Sequence, residues 1–171
     1  MKRLGLSTIL ICTIITCVAQ SNKIKNSTLF PNTFELLASE IPSGFVIQPI
    51  SQEAKSMGIT SNPAVVTDAN IISSIYDGVN IQAVSGVLMA MYVQPHHDQE
   101  LGVYIVGYKS LPLLKNEIRK LTAKLDRRYF TKDKYLFIIW SDAGSYKQQV
   151  NFIAERLKRR LNLVEVKVLK Q

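Results

Sequence analysis

The apolar positions of this 171-residue chain recur with different periods in different stretches, and the period assigns the elements. Tyr135 to Trp140 is apolar at every position, as a strand covered on both faces would be. Val87 to Val93 and Leu101 to Val106 are two more apolar runs. The short polar segment Gln94 to Glu100 joins them, which predicts a hairpin with a longer loop. Leu111, Leu114, Ile118, Leu121 and Leu125 recur at spacings of three and four, giving a helix with Ser110 as its cap and Pro112 in its first turn. Tyr146, Val150, Ile153, Leu157 and Leu161 mark a second amphipathic helix, with Ser145 as cap. Val164, Val166 and Val168 alternate with Glu165 and Lys167, the pattern of an outer strand with one wet face.

The first half is less regular. Phe34 to Ser39 reads as a short helix and Ile41 to Gly44 as a turn. Phe45 to Ile50 reads as a short edge strand, because Pro49 cannot donate to a ladder. Residues 51–67 read mainly as loop. Asp68 or Asn70 caps a helix expected to run to about Val84, with Ile71, Ile72, Ile75, Val79 and Ala83 as its stripe. The resulting order is β-α-β-β-α-β followed by α-β. It predicts an α+β fold with a single antiparallel or mixed sheet and helices packed mainly on one face. The first six elements follow the ferredoxin-like split βαβ order, with an extra C-terminal αβ unit.

The N-terminus changes the picture of where the chain works. Lys2 and Arg3 precede an uncharged apolar run from Leu4 to Thr16, and Cys17 and Ala19 stand two apart before Gln20. These are the parts of a secretory signal peptide over residues 1–19. The run is shorter than the ~20 residues of a membrane-spanning helix. Ile14, Ile15, Thr16 and Cys17 also resemble the lipobox of bacterial lipoproteins, which implies lipidation at Cys17 and a signal ending at residue 16. Ordinary cleavage after Ala19 is the other reading of the same residues. Residues 20–32 form a polar leader, too poor in apolar groups to offset its ordering entropy. Residues 33–171 form one domain, since no repeat or linker divides them. The expected location is a bacterial periplasm or envelope, membrane-anchored if Cys17 is lipidated, and secreted otherwise.

Cysteine usage narrows the chemistry. Both cysteines, Cys12 and Cys17, lie in the signal, so the processed domain holds neither a disulfide nor a thiol nucleophile. There is no G-x-S-x-G, P-loop or G-x-G-x-x-G, so no cofactor is expected, and Asp142, Gly144 and Ser145 read as an ordinary turn and cap. His96, His97 and Asp98, followed by Glu100, gather metal-ligand types in the predicted hairpin loop.

The formal charge of +8 is uneven. Residues 110–134 hold eight Lys or Arg against three Asp or Glu, and residues 155–171 hold six against two. Lys115, Arg119, Lys120, Lys124, Arg127 and Arg128, with Arg156, Lys158, Arg159 and Arg160, are assigned to the two C-terminal helices. If those helices present one face, it would attract anionic lipid or an envelope polymer. Nucleic acid is the poorest fit for an exported protein. The leading expectation is a non-enzymatic envelope protein, lipid-anchored if Cys17 is modified, that binds a partner or surface. The competing one is a secreted or metal-dependent enzyme using the His96, His97 and Asp98 loop.

Overall fold

Three apolar runs become the centre of one sheet. In the computed structural model, which describes residues 29–76, 80–124 and 126–168, the elements in chain order are β1 Val46–Ile47, α1 Gln52–Ser56, β2 Ala64–Val66, α2 Ala69–Ile75, β3 Val84–Val93, β4 Glu100–Tyr108, α3 Leu111–Ile118, β5 Arg127–Lys132, β6 Tyr135–Ser141, α4 Lys147–Leu161 and β7 Val164–Glu165. The seven strands pair in the order β1-β3-β4-β6-β5-β7, and β2 pairs with β3 further along. Every pair is antiparallel. The protein is thus α+β, with one seven-stranded antiparallel sheet and a C-terminal 18-residue helical segment packed against it.

Both faces of this sheet are covered. Odd positions of β4 and β6, including Leu101, Val103, Ile105, Phe137 and Ile139, pack against Val150, Ile153, Ala154, Leu157 and Leu161 of α4. Even positions, including Val106, Tyr108, Leu136 and Ile138, pack against Ile72 of α2 and Leu114 of α3. This corrects the expectation of helices mainly on one face. It also explains why the central strands are apolar throughout, since neither side can be wet.

The hairpin β3–β4, the strand β6, the helix α4 and the outer position of β7 match their sequence patterns. The split βαβ order does not describe this sheet. One strand, β5, is additional, and the antiparallel pairing leaves no parallel crossover. β5 forms a tight hairpin with β6 through Asp133 and Lys134, with Asp133 in the left-handed region at φ 53°. Arg127 and Arg128 therefore sit on a strand, not on a helix. The basic stretch hid β5 because Arg128 lies over the Phe130 ring, 5.0 Å from its centroid, and pairs with carboxylates. Its charge is compensated by the fold and does not mark a solvated helical face.

Other boundaries differ for local reasons. Residues 51–67 contain α1 and β2 and are not mainly loop. Ser51 Oγ caps α1 by accepting from Ala54 N at 3.0 Å. Asp68 Oδ1 caps α2 by accepting from Asn70 N and Ile71 N. That helix ends at Ile75, where Tyr76 turns extended, and Ala83 falls in a separate 3-10 turn. Val79 lies outside the described residues, as does Leu125. α3 stops at Ile118, because the N–H groups of Lys120 and Leu121 close onto carbonyls only three residues back. Ser110 precedes α3 without a side-chain cap bond, and Ser145 lies within a 3-10 turn, Gly144–Tyr146, leading into α4. Two 3-10 turns, Asn32–Phe34 and Ala38–Glu40, replace the helix expected over Phe34 to Ser39.

Candidate functional site

The predicted ligands of a metal lie on a solvent-facing turn. His96, His97 and Asp98 are exposed, His96 takes φ 68°, and His97 N donates to Gln94 O. Among the described residues, no group of three or more His, Cys, Asp or Glu side chains could hold a metal ion. Glu100, at the end of the turn, points elsewhere, as shown below. Cys17 and the rest of the signal lie outside the described residues. No helix among the described residues is long and apolar enough to cross a membrane.

The ten basic residues do not converge. Lys115 is on α3, with Arg119, Lys120 and Lys124 after it, whereas Arg156, Lys158, Arg159 and Arg160 are on α4. The two helices cover opposite faces of the sheet, so they cannot share one basic surface. Several of these residues are committed to the fold. Arg128 bridges Glu155 and Glu165 at 2.7 and 2.5 Å. Lys158 reaches Glu165 at 3.1 Å. Lys120 pairs with the buried Glu117. Arg156 stacks on Phe152 at 4.3 Å. Arg160 donates to the buried Glu40 at 2.6 and 2.9 Å, and to the carbonyls of Thr33 and Glu35. It thereby fixes the N-terminal segment to α4.

A cavity with room for a ligand lies on the opposite face from α4. A cleft of about 310 Å³ opens between the sheet and the segment carrying α1 and α2. Its floor is Met89 and Met91 of β3 and Tyr104 of β4. Met89 and Met91 are two apart on a strand and so share a face. Tyr104 sits directly opposite Met89 in the register. Ile50, Ala54, Met57, Ile59 and Ile75 form the apolar walls, and Gln48, Asn62 and Glu100 bring polar groups to them.

One side chain builds the wall. β1 pairs with β3 at Val93 and Tyr92, and β2 pairs with it from Met89 to Val87, leaving Ala90 and Met91 between them. Asn62 fills that gap. Its Nδ2 donates to Met91 O at 2.8 Å and to Gln48 O at 3.0 Å, and its Oδ1 accepts from Met91 N at 3.0 Å. The amide thus gives Met91 N its partner and adds to the bond that Met91 O accepts from Gln48 N at 2.9 Å, tying β1 and the residues before β2 to β3. Gln48 in turn donates from Nε2 to Glu100 Oε1 at 2.5 Å, which aims the carboxylate.

Burial pushes the Tyr104 hydroxyl up to about 12, the nearby Glu100 charge adds to this, and Arg127 opposes it. Tyr104 is therefore a neutral, polarisable surface at any working pH. Its ring lies against that of Trp140, with centroids 5.4 Å apart. Trp140 is the chain's single tryptophan, so one fluorophore lies directly beside the cleft floor. Sequence patterning missed this site because Met89 and Met91 read as core. The available sign was that Met57, Met89 and Met91 are all the methionines after Met1, and flexible thioethers suit adaptable binding surfaces.

No protein-family model matches the chain, no curated protein matches it, and no solved structure matches it.

Proposed function

We propose that the protein is an exported, non-catalytic binding protein of the bacterial envelope that takes a small ligand into the cleft between β3, β4 and the α1–α2 segment. The observation that carries this reading is the cleft itself. Its volume of about 310 Å³ falls at the small end of ligand pockets, which run from roughly 300 to 1,000 Å³. Its walls are mainly aliphatic and thioether, with a few oriented polar groups, the usual composition of such sites. Export and attachment rest on the N-terminal residues. The basic n-region, the apolar run and Cys17 support delivery to the envelope, free from Gln20 or tethered through lipid on Cys17. Intact-mass measurement of the natural N-terminus separates the two forms.

The cleft is tested with the mature protein and the neutral probe N-phenylnaphthylamine. Energy transfer from Trp140 to the probe is expected to saturate. Ala54→Phe, which places a ring in the cleft from the exposed side, is expected to abolish it. Saturation of equal strength in both proteins, or no transfer in the wild type, would count against the reading.

A further inference from the structure

The formal charge on the described residues that line the cleft is opposite in sign to that of the whole chain, although the Arg127 charge also reaches Tyr104 from outside the lining. The chain carries a formal charge of +8, yet among the described residues lining the cleft Glu100 is the one formally charged side chain. No Lys or Arg is among those described lining residues, and Tyr104 is neutral. Glu100 is partly buried and held in place from two sides. Gln48 holds Oε1 from within the cleft wall, and Asp142 fixes the Glu100 backbone by accepting from its N–H at 2.7 Å. The Asp142 N–H returns a bond to the Glu100 carbonyl at 3.2 Å. Among the described residues the second carboxylate oxygen, Oε2, takes no donor, which leaves it available to a ligand.

Beside this carboxylate stand groups that favour a diffuse positive charge. Tyr104 brings an aromatic ring to the cleft lining, and the negative quadrupole of such a ring attracts cations over its face. Met57, Met89 and Met91 offer polarisable sulfurs. An anion in the same place would meet Glu100 at close range, with no cation among the lining residues to offset the repulsion. A strongly hydrated small cation would exchange its water shell for one carboxylate and a few neutral polar groups among aliphatic and thioether walls, which is unfavourable. A cation clothed in hydrocarbon avoids both penalties.

We infer that the cleft selects a small organic cation, with its apolar body between Met57, Met89, Met91 and Ile75 and its charged nitrogen at Glu100 and the Tyr104 ring. This rests on the cleft being a ligand site at all, and one titration series separates the two claims. Three probes of similar shape are used to displace N-phenylnaphthylamine from the mature protein: benzyltrimethylammonium, the neutral neopentylbenzene and the anionic phenylmethanesulfonate. The cation is expected to bind at least tenfold more tightly than the anion, and Glu100→Gln is expected to weaken the cation at least tenfold. Equal affinities for cation and anion in the wild type would overturn the inference, and that comparison needs no variant. So would a cation preference that survives Glu100→Gln in a protein whose circular dichroism is unchanged. If Ala54→Phe blocks N-phenylnaphthylamine but charge makes no difference, the ligand site stands and only its selectivity falls. If Ala54→Phe blocks nothing, both readings fall together.

Discussion

The two faces of the sheet are built from the same strands but closed in different ways. On one face a single 15-residue helix, α4, lays Val150, Ile153, Leu157 and Leu161 across the strands. The N-terminal segment covers the rest, with Phe34 edge-on to Tyr135 and Phe137 at 5.0 Å each. On the other face three short helices of five, seven and eight residues share the work. Short helices cannot cover a broad twisted sheet without gaps, and the 310 Å³ cleft is what they leave beside β3 and β4. One face is nearly sealed, with a gap of only about 10 Å³ among Phe34, Leu88, Ala90 and Ile105. The other is incompletely sealed, and that is where a ligand fits. The loosely packed side is the one expected to move on binding, because local opening is easiest where apolar contacts are fewest.

Truncation should expose this contrast most strongly. Leu157 is fully buried, so Leu157→Ala is expected to cost about 3 kcal/mol or more in urea unfolding. Met57→Ala, on the cleft wall, is expected to cost under about 1 kcal/mol, as its side chain already borders open volume. Comparable losses would remove the distinction between the faces.

Arg160 gives the next effect. Glu40 is only 3% exposed, and Arg160 is its cationic partner. Arg160→Ala leaves a buried carboxylate unpaired and should cost about 2–3 kcal/mol, at the low side of the usual range because Arg160 itself is partly exposed. Arg160→Met, which keeps the stem and loses the charge, should cost nearly as much. Full recovery in Arg160→Met would assign the effect to packing instead.

Gly102 probes the cleft face. A Cβ there would lie 2.4 Å from the Trp140 ring, so the indole must move. Gly102→Ala should cost about 1–3 kcal/mol and shift the Trp140 emission. An unchanged emission maximum would contradict the close packing of Trp140 over β4.

The smallest effect is set by pH and belongs to the sealed face. Burial alone would raise the Glu165 carboxyl, but hydrogen bonds and charge from Arg128 and Lys158 outweigh it and hold the group below the usual carboxylate value. A depressed folded-state value means that the stabilisation is complete above the unfolded carboxylate range. It is lost as pH falls through the depressed value. Glu165→Gln should therefore be slightly destabilising at neutral pH and indistinguishable from wild type at strongly acid pH. A penalty that does not shrink on acidification would contradict the ion-pair account.

Legibility in the sequence followed the same division. The apolar runs of β3, β4 and β6 and the stripe of α4 are readable because burial, not local chemistry, dictates them. β5 was not. Arg127, Arg128 and Lys132 give it the composition of a charged helix end, and only tertiary partners, Glu155 and Glu165 above all, reveal why a strand carries them. The cleft was illegible for a related reason. Its lining is drawn from residues 48 to 104, and the residue that assembles its wall, Asn62, looks like any loop asparagine until its amide is seen completing the β3 ladder. Of the conspicuous residues, His96 and His97 lie on an exposed turn, and Lys120, Arg128, Lys158 and Arg160 are held in ion pairs.

The central claim, that the open face binds and the sealed face does not, is tested most directly by methionine-methyl and leucine-methyl NMR. Met57, Met89 and Met91 report the cleft, and Leu157 and Leu161 report the α4 face. Titration of the mature protein with benzyltrimethylammonium should shift all three methionine methyls together in a saturable way, with the α4-face leucines unmoved. Stationary methionines, or shifts confined to the leucines under α4, would contradict the account.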